Sequence, residues 1–180
     1  MTPSSYRRGG KGERIDFSLT DSPLGRMLVA STGKGVCSIM FGDSDEGLAA
    51  SLRTEFPAAD LQGNVESPSG AVGAIIEHLN GGGPNLELPL DIRATAFQRQ
   101  VWKALQAIPY GSVCSYSEVA KAIGKPAAVR AVATACAKNR IAVAIPCHRV
   151  VQKGGESGGY RWGVERKKRL LEREGGAGRA

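Results

Sequence analysis

Asn80, Gly81, Gly82, Gly83 and Pro84 form the strongest break in this 180-residue chain. Three consecutive glycines give the backbone freedom and offer no side chain to pack, and the proline removes an N–H from any ladder or helix. A chain of this length broken there folds as one generous domain or as two small units. Before the break the pattern is period two. Ile15, Phe17 and Leu19 alternate with polar residues, and turn residues at 21–25 and 33–35 set them apart from apolar runs at 26–30 and 36–41. Short turns between such runs imply a three-stranded antiparallel meander. Leu48, Leu52 and Phe56, then Val72, Ile75, Ile76 and Leu79, recur at helical spacing and predict two helices. Residues 1–14, rich in Gly, Ser, Lys and Arg without periodicity, read as a disordered basic lead-in. The remainder to residue 92, including a strand-like segment at 86–90, reads as an α/β support domain. His78 is a lone imidazole on the second helix, with nothing nearby in sequence to give it chemistry.

Past the break the period changes to 3.6. Thr95 with Gln98, and Ser115 with Glu118, have capping-box spacing. The first box opens a helix with Phe97, Val101, Leu105 and Ile108 on its inner stripe; the second opens a short helix through Val119, Ala120 and Ile123. Gly124 suits the position just past that helix, and Pro126 the first turn of the next, expected over residues 126–138. Two helices joined so tightly suggest a helix-turn-helix. Val129, Val132, Ala133 and Cys136 point inward, leaving Ala127, Ala128, Arg130, Ala131, Thr134 and Ala135 outward. A helix that reads bases in the major groove needs forked polar side chains. Here Arg130 is the one long side chain on a surface of small ones. Such a helix can lie against a sugar–phosphate wall without specifying sequence, while its arginine enters the duplex in place of a displaced base. An ordinary core helix pair with one solvated arginine is the plainer alternative.

A predicted strand at 141–145 leads into Pro146, Cys147, His148 and Arg149. A thiol beside an imidazole and a guanidinium is in a setting that favours thiolate, the nucleophilic form. A buried structural thiol on an apolar strand satisfies the same residues, and both readings stand at this point. Adjacent strand residues face opposite ways, so Cys147 and His148 cooperate only if the chain turns there. The four cysteines (Cys37, Cys114, Cys136, Cys147) have neither metal-ligand nor disulfide-framework spacing, so reduced thiols and no metal site are expected. A glycine-rich loop at 153–159 precedes Tyr160 and Trp162, rings that can wall a pocket for a flat substrate. A last helix sends Val164, Leu170 and Leu171 inward with 165–169 largely solvated; Glu174 lies near its end, and 176–180 read as a frayed tail. The net charge of +7 suits a polyanionic partner. No apolar run can cross a bilayer and no secretory signal is visible, so the default expectation is a cytosolic or nuclear protein.

Pro146, Cys147, His148, Arg149 and Val150 match the active-site signature of the DNA alkyltransferases that repair O6-alkylguanine, the methylated-DNA–protein-cysteine methyltransferases. The likeness extends over Leu24-Gly25, Leu88 to Ile92, Phe97-Gln98, Val101-Trp102, Ile108 to Gly111, Ser115-Tyr116, Arg130 to Val132, Asn139 and Gly159 to Gly163. It covers about residues 15–174, and the carboxy-terminal half is most similar to the bacterial Ada-type repair domain. The resemblance implies a ribonuclease H-like amino-terminal domain (15–92) and a mainly helical domain with a winged helix-turn-helix (93–175). It implies irreversible, single-turnover transfer of an alkyl group from O6-alkylguanine, and from O4-alkylthymine, to Cys147. Double-stranded DNA would be bound through the minor groove and the damaged base flipped into a pocket.

By the same resemblance His148 acts as base through a water, Glu174 orients His148, and Asn139 braces the cysteine loop. Tyr116 stands at the flipped nucleotide and helps protonate the departing base. Arg130 fills the vacated stack, with Ala128, Ala131, Thr134 and Ala135 against the DNA. Tyr160 lines the guanine pocket, with Val150 and Trp162 packing behind. No cofactor, no metal and no membrane partner is implied; a cytoplasmic monomer associated with DNA is. The chain departs from human-type members at Arg140 and Ala142, where those have prolines in the pocket wall, which bears on bulky O6 substituents. The cysteine-rich phosphotriester-repair domain of full Ada-type proteins is absent from these residues. Three other readings compete. An alkyltransferase-like lesion binder would lack Cys147, a winged-helix regulator would need a base-reading helix, and a cysteine hydrolase would turn over.

Overall fold

The computed structural model describes residues 9–63, 70–84 and 86–175. Strands β1 (Arg14–Ser22), β2 (Gly25–Thr32) and β3 (Gly35–Gly42) pair antiparallel, as the alternation predicts. A fourth strand, β4 (Asp60–Gly63), joins the free edge of β1 in parallel and gives the order β3-β2-β1-β4. The three-stranded expectation is corrected here. With Leu61 its one apolar residue, β4 has no alternation to read, and it forms because the backbone of β1 offers a ladder. Residues 9–13 are corrected too: they make a turn whose Gly9 carbonyl accepts from Ala58 N at 2.8 Å, and Asp60 N donates to Glu13 O at 2.9 Å. Backbone pairing orders them without any apolar pattern, and Arg14 already belongs to β1. The remaining lead-in, residues 1–8, and the tail, 176–180, lie outside the described residues.

Helix α1 (Asp45–Glu55), capped by Ser44, buries Leu48 and Leu52; α2 (Ala71–Leu79) buries Ala71, Ile75, His78 and Leu79. The strand expected at 86–90 reduces to one parallel bridge, Val36 with Leu90. Pro89 has no N–H to extend a ladder; its carbonyl accepts from Val36 N at 2.8 Å, and Asp91 N donates to Val36 O at 2.8 Å. The glycine break is therefore not the boundary. Among the described residues, those from 9 to 80 with Leu86–Arg93 form one compact unit, and 81–84 with 94–175 form the other.

In the second unit, α3 (Ala96–Gln106) and α4 (Tyr116–Ala122) both carry the capping boxes their sequences predict. Trp102, not Phe97, joins Val101 and Leu105 in the buried stripe of α3, and its indole N–H donates to Ala135 O at 3.0 Å. After α4 the chain closes a Schellman motif: Gly124 N donates to Lys121 O (2.9 Å) and Lys125 N to Ala120 O (2.9 Å), with Gly124 at φ 71. Helix α5 (Val129–Ala137) begins three residues later than expected, because residues 125–128 close a separate turn (Ala128 N to Lys125 O, 2.8 Å). Short strands β5 (Cys114–Ser115) and β6 (Val150–Val151) pair in parallel beside this helix pair, and α6 (Val164–Arg173) ends the unit. No helix among the described residues is long and apolar enough to cross a membrane.

Candidate active site

No strand forms at 141–145; every residue from Ile141 to Val150 is buried in a compact run of turns. Ala144 N donates to Ala142 O at 2.7 Å across Val143, which sits at φ 67. That is a γ-turn in a region a β-branched residue rarely enters. Cys147 N donates to Ile145 O at 2.8 Å across Pro146 (φ −79, ψ 61), an inverse γ-turn that proline's fixed φ favours. Residues Cys147–Arg149 then form one turn of 3₁₀ helix. Neighbouring side chains in such a turn diverge by about 120° instead of the strand's opposition, so Cys147 and His148 share one end of the unit.

Asn139, fully buried, holds this loop at three points. Its Nδ2 donates to Ile145 O (2.8 Å) and to Cys147 Sγ (3.2 Å), and its Oδ1 accepts from Ile141 N (2.9 Å). His148 is fully buried, and its Nε2 pairs with Glu174 Oε1 at 2.8 Å. A carboxylate at Nε2 favours the tautomer with the proton there, which leaves Nδ1 as the basic nitrogen. Nδ1 is buried with no protein partner.

The guanidinium of Arg149 does not serve the thiol. Its Nε and one terminal nitrogen donate to Glu174 (2.8 and 2.9 Å), and the other terminal nitrogen donates to Ile108 O (2.8 Å). Burial opposes ionisation of Glu174, yet the hydrogen bonds from His148 and Arg149 win and hold its carboxyl at about 2. Burial lowers the His148 pKa against the pull of Glu174, so the imidazole is neutral at pH 7. Burial also raises the Cys147 thiol to about 11, although Asn139 and the more distant charge of Lys167 favour the thiolate. The thiolate setting read from the Cys-His-Arg sequence is thus corrected: burial favours the thiol, and the neighbouring guanidinium is committed to Glu174.

Cys147 opens on a cavity of about 440 Å³, whose walls include Tyr116, Ala133, Cys136, Tyr160 and Arg161. Tyr116 is half-buried with its phenol pKa raised by burial. Tyr160 is deeper, and its hydroxyl is buried without a partner. Its ring meets His148 edge-on at 6.5 Å and Trp162 at 5.2 Å. Val150 is fully buried and Trp162 is buried behind Tyr160. On α5, Arg130, Ala131 and Thr134 are exposed, Ala128 just before it is half-buried, and none of the four lines the cavity. Ala135 is corrected from outward to buried, since its carbonyl receives the Trp102 indole.

Two groups escaped the reading of the sequence. Cys136 belongs to the inward stripe by its spacing, yet it also borders the cavity. Lys167 lies in the run expected to be solvated, but it is fully buried, with Nζ donating to Val150 O (2.5 Å) and Gly159 O (3.5 Å). Burial lowers its pKa to about 8. Its spacing of three from Leu170 is the one available signal, and Val164, expected inward, is corrected: at the first position of α6 it is 39% exposed. Among the described residues, no group of three or more His, Cys, Asp or Glu side chains could hold a metal ion.

Two family models match the chain: residues 15–92 match the 6-O-methylguanine DNA methyltransferase, ribonuclease-like domain, and residues 96–176 its DNA binding domain. The chain is 51% identical over 174 residues to the bifunctional transcriptional activator/DNA repair enzyme Ada of Escherichia coli, covering 97% of this chain and 49% of that protein. It spans about half the length of that relative. It is 38% identical over 160 residues to the methylated-DNA–protein-cysteine methyltransferase of Mycobacterium tuberculosis, covering 89% of this chain and 92% of that one. The crystal structure of Mycobacterium tuberculosis OGT in complex with DNA aligns with a TM-score of 0.77 at 36% identity, over 89% of this chain and 92% of that one.

Proposed function

Since the chain belongs to the methylated-DNA–protein-cysteine methyltransferase family, we propose that it repairs O6-alkylguanine, and O4-alkylthymine, in double-stranded DNA by moving the alkyl group irreversibly to Cys147. The observation that carries this reading is a cysteine on the wall of a 440 Å³ cavity, braced by Asn139 and adjoining a buried imidazole–carboxylate pair. A flipped base needs a pocket of that kind, and displacement at an alkyl carbon needs a soft nucleophile.

With the thiol pKa at about 11, only about 10⁻⁴ of it is ionised at pH 7. Proton removal is therefore part of the reaction. A water between Cys147 and His148 Nδ1 takes the thiol proton as it gives one to the imidazole, and Glu174 stabilises the imidazolium through Nε2. The thiolate forms an S–C bond to the alkyl carbon as the C–O6 bond breaks. The electron pair left on guanine takes a proton from the Tyr116 hydroxyl. The thioether product has no leaving route, so each molecule acts once. Tyr160 stacks at the guanine, with Trp162 and Val150 behind it.

Arg130, on a helix surface otherwise of small residues, fills the vacated base position. Ala128, Ala131 and Thr134 approach the minor-groove backbone. Residues 93–175 carry DNA binding and chemistry, 15–92 support them, and the protein acts as a cytoplasmic monomer. Intact-mass measurement after incubation with DNA bearing O6-methylguanine tests the proposal. The wild type gains one methyl group, located on Cys147, and Cys147→Ser gains none. No gain by the wild type, or equal gain by the variant, would refute it. Arg130→Ala slows transfer from duplex DNA far more than from the free alkylated base; equal slowing removes its role in base extrusion.

A further inference from the structure

The cavity holds a second thiol that single alkyl transfer does not use. Cys136 borders the same space as Cys147, and both are free cysteines. One residue connects them. The backbone N–H of Asn139 donates to Cys136 O at 3.1 Å, while its side chain donates to Cys147 Sγ at 3.2 Å. The buried amine of Lys167 lies close enough to both that negative charge on either sulfur raises its pKa. Two thiols on one reaction space can perform a second substitution.

We infer that Cys136 is a second acceptor: when the group delivered to Cys147 carries a leaving group on its far carbon, Cys136 displaces it and closes a dithioether within the protein. The inference rests on Cys147 being the alkyl acceptor. Its substrate class is O6-haloalkylguanine in DNA. In the first step the Cys147 S–C bond forms, the C–O6 bond breaks and guanine is reprotonated. In the second, a Cys136 S–C bond forms at the carbon bearing the halogen, and the halide leaves with the bonding pair. The thiol proton passes to water in the cavity, so that the step releases hydrogen halide overall.

Burial holds the Cys136 thiol at about 12, so it reacts with little outside the cavity. Confinement beside the tethered electrophile supplies the effective concentration that its protonation state denies. The competing acceptors for the far carbon are water and the DNA itself. Capture by Cys136 leaves the DNA free, where otherwise a protein–DNA cross-link would form.

The sequence supplies a convenient readout. Trypsin cuts after Arg130, Lys138, Arg140 and Arg149, placing Cys136 and Cys147 in separate peptides, 131–138 and 141–149. The wild-type protein is incubated in parallel with duplexes carrying O6-methylguanine and O6-(2-chloroethyl)guanine, then digested and sequenced by tandem mass spectrometry. Expected from the chloroethyl duplex is a major product in which the two peptides are joined by one ethylene bridge. Cys136→Ser, checked for an unchanged melting curve, gives hydroxyethyl-Cys147 or a DNA adduct instead. Methyl transfer to Cys147 accompanied by hydroxyethyl-Cys147 and no bridged peptide in the wild type would overturn the role of Cys136 and leave the alkyl-transfer reading intact. No methyl on Cys147 would overturn both.

Discussion

Around Cys147 the protein keeps three groups in states that favour waiting: a neutral thiol, a neutral imidazole and a charged carboxylate already paired with Arg149. The reaction of iodoacetamide with Cys147 is accordingly expected to be slow at pH 7. Its rate rises about tenfold per pH unit toward the thiol pKa, as mass mapping of peptide 141–149 across pH would record. Asn139→Ala removes the hydrogen bond that favours the thiolate and strands Ile141 N, while Ile145 O keeps only its bond from Cys147 N. Each buried polar group left unpaired costs about 1–3 kcal/mol, so both the melting temperature and the transfer rate fall. Glu174 makes stability sensitive to acid. Its folded pKa of about 2 lies below the ordinary 4.5, so its contribution is complete above pH 4.5 and is lost as pH falls toward 2. The amount is on the order of 3 kcal/mol, and Glu174→Gln abolishes that dependence in denaturation curves. Lys167 acts at the other end of the scale. Its folded pKa of about 8 against 10.5 means that the cost of burying its charge is relieved as pH rises between those values. The stability of the wild type relative to Lys167→Met therefore increases over that window.

Among the elements, the helices were the most legible, because caps and apolar spacing are local. Thr95 with Gln98, and Ser115 with Glu118, make the hydrogen bonds their spacing predicts. What eluded the sequence was set by partners far along the chain. β4 exists through the ladder β1 offers, and the run at 141–145 is apolar enough for a strand, yet Asn139 pins its backbone into turns. The late start of α5 follows from the turn that Lys125 closes with Ala128. Two glycines separate conformational from steric effects. Gly124 has φ 71 with open space beside it, so Gly124→Ala costs only the left-handed penalty, about 1–2 kcal/mol. Gly111 has φ 76, and a Cβ there would stand 2.7 Å from Glu174 O. Gly111→Ala is expected to lower the melting temperature more than Gly124→Ala and, by displacing Glu174 from His148, to slow alkyl transfer as well.

For the molecule as a whole, the net charge of +7 predicts that the proposed binding to DNA weakens with salt through counterion release. If Arg130 meets a phosphate in the complex, Arg130→Ala reduces the slope of log Kd against log salt by about 1; an unchanged slope places the side chain inside the duplex. The cluster of Cys147, His148 and Glu174 was legible because two of the three adjoin in sequence and the third closes the last helix, where it pairs with His148. Lys167 and the cavity face of Cys136 were not, since the folding of 141–163 around them decides their exposure. The contact between Tyr160 and Trp162 also has an optical side. Both tryptophans, Trp102 and Trp162, belong to the unit formed from Ala94 onward, as do Tyr110, Tyr116 and Tyr160. Intrinsic tryptophan emission is therefore blind to the amino-terminal sheet. It monitors the α3–α5 junction through Trp102 and the wall behind Tyr160 through Trp162, so one unlabelled sample reports the melting of this unit and, on the proposed function, any base that enters the cavity.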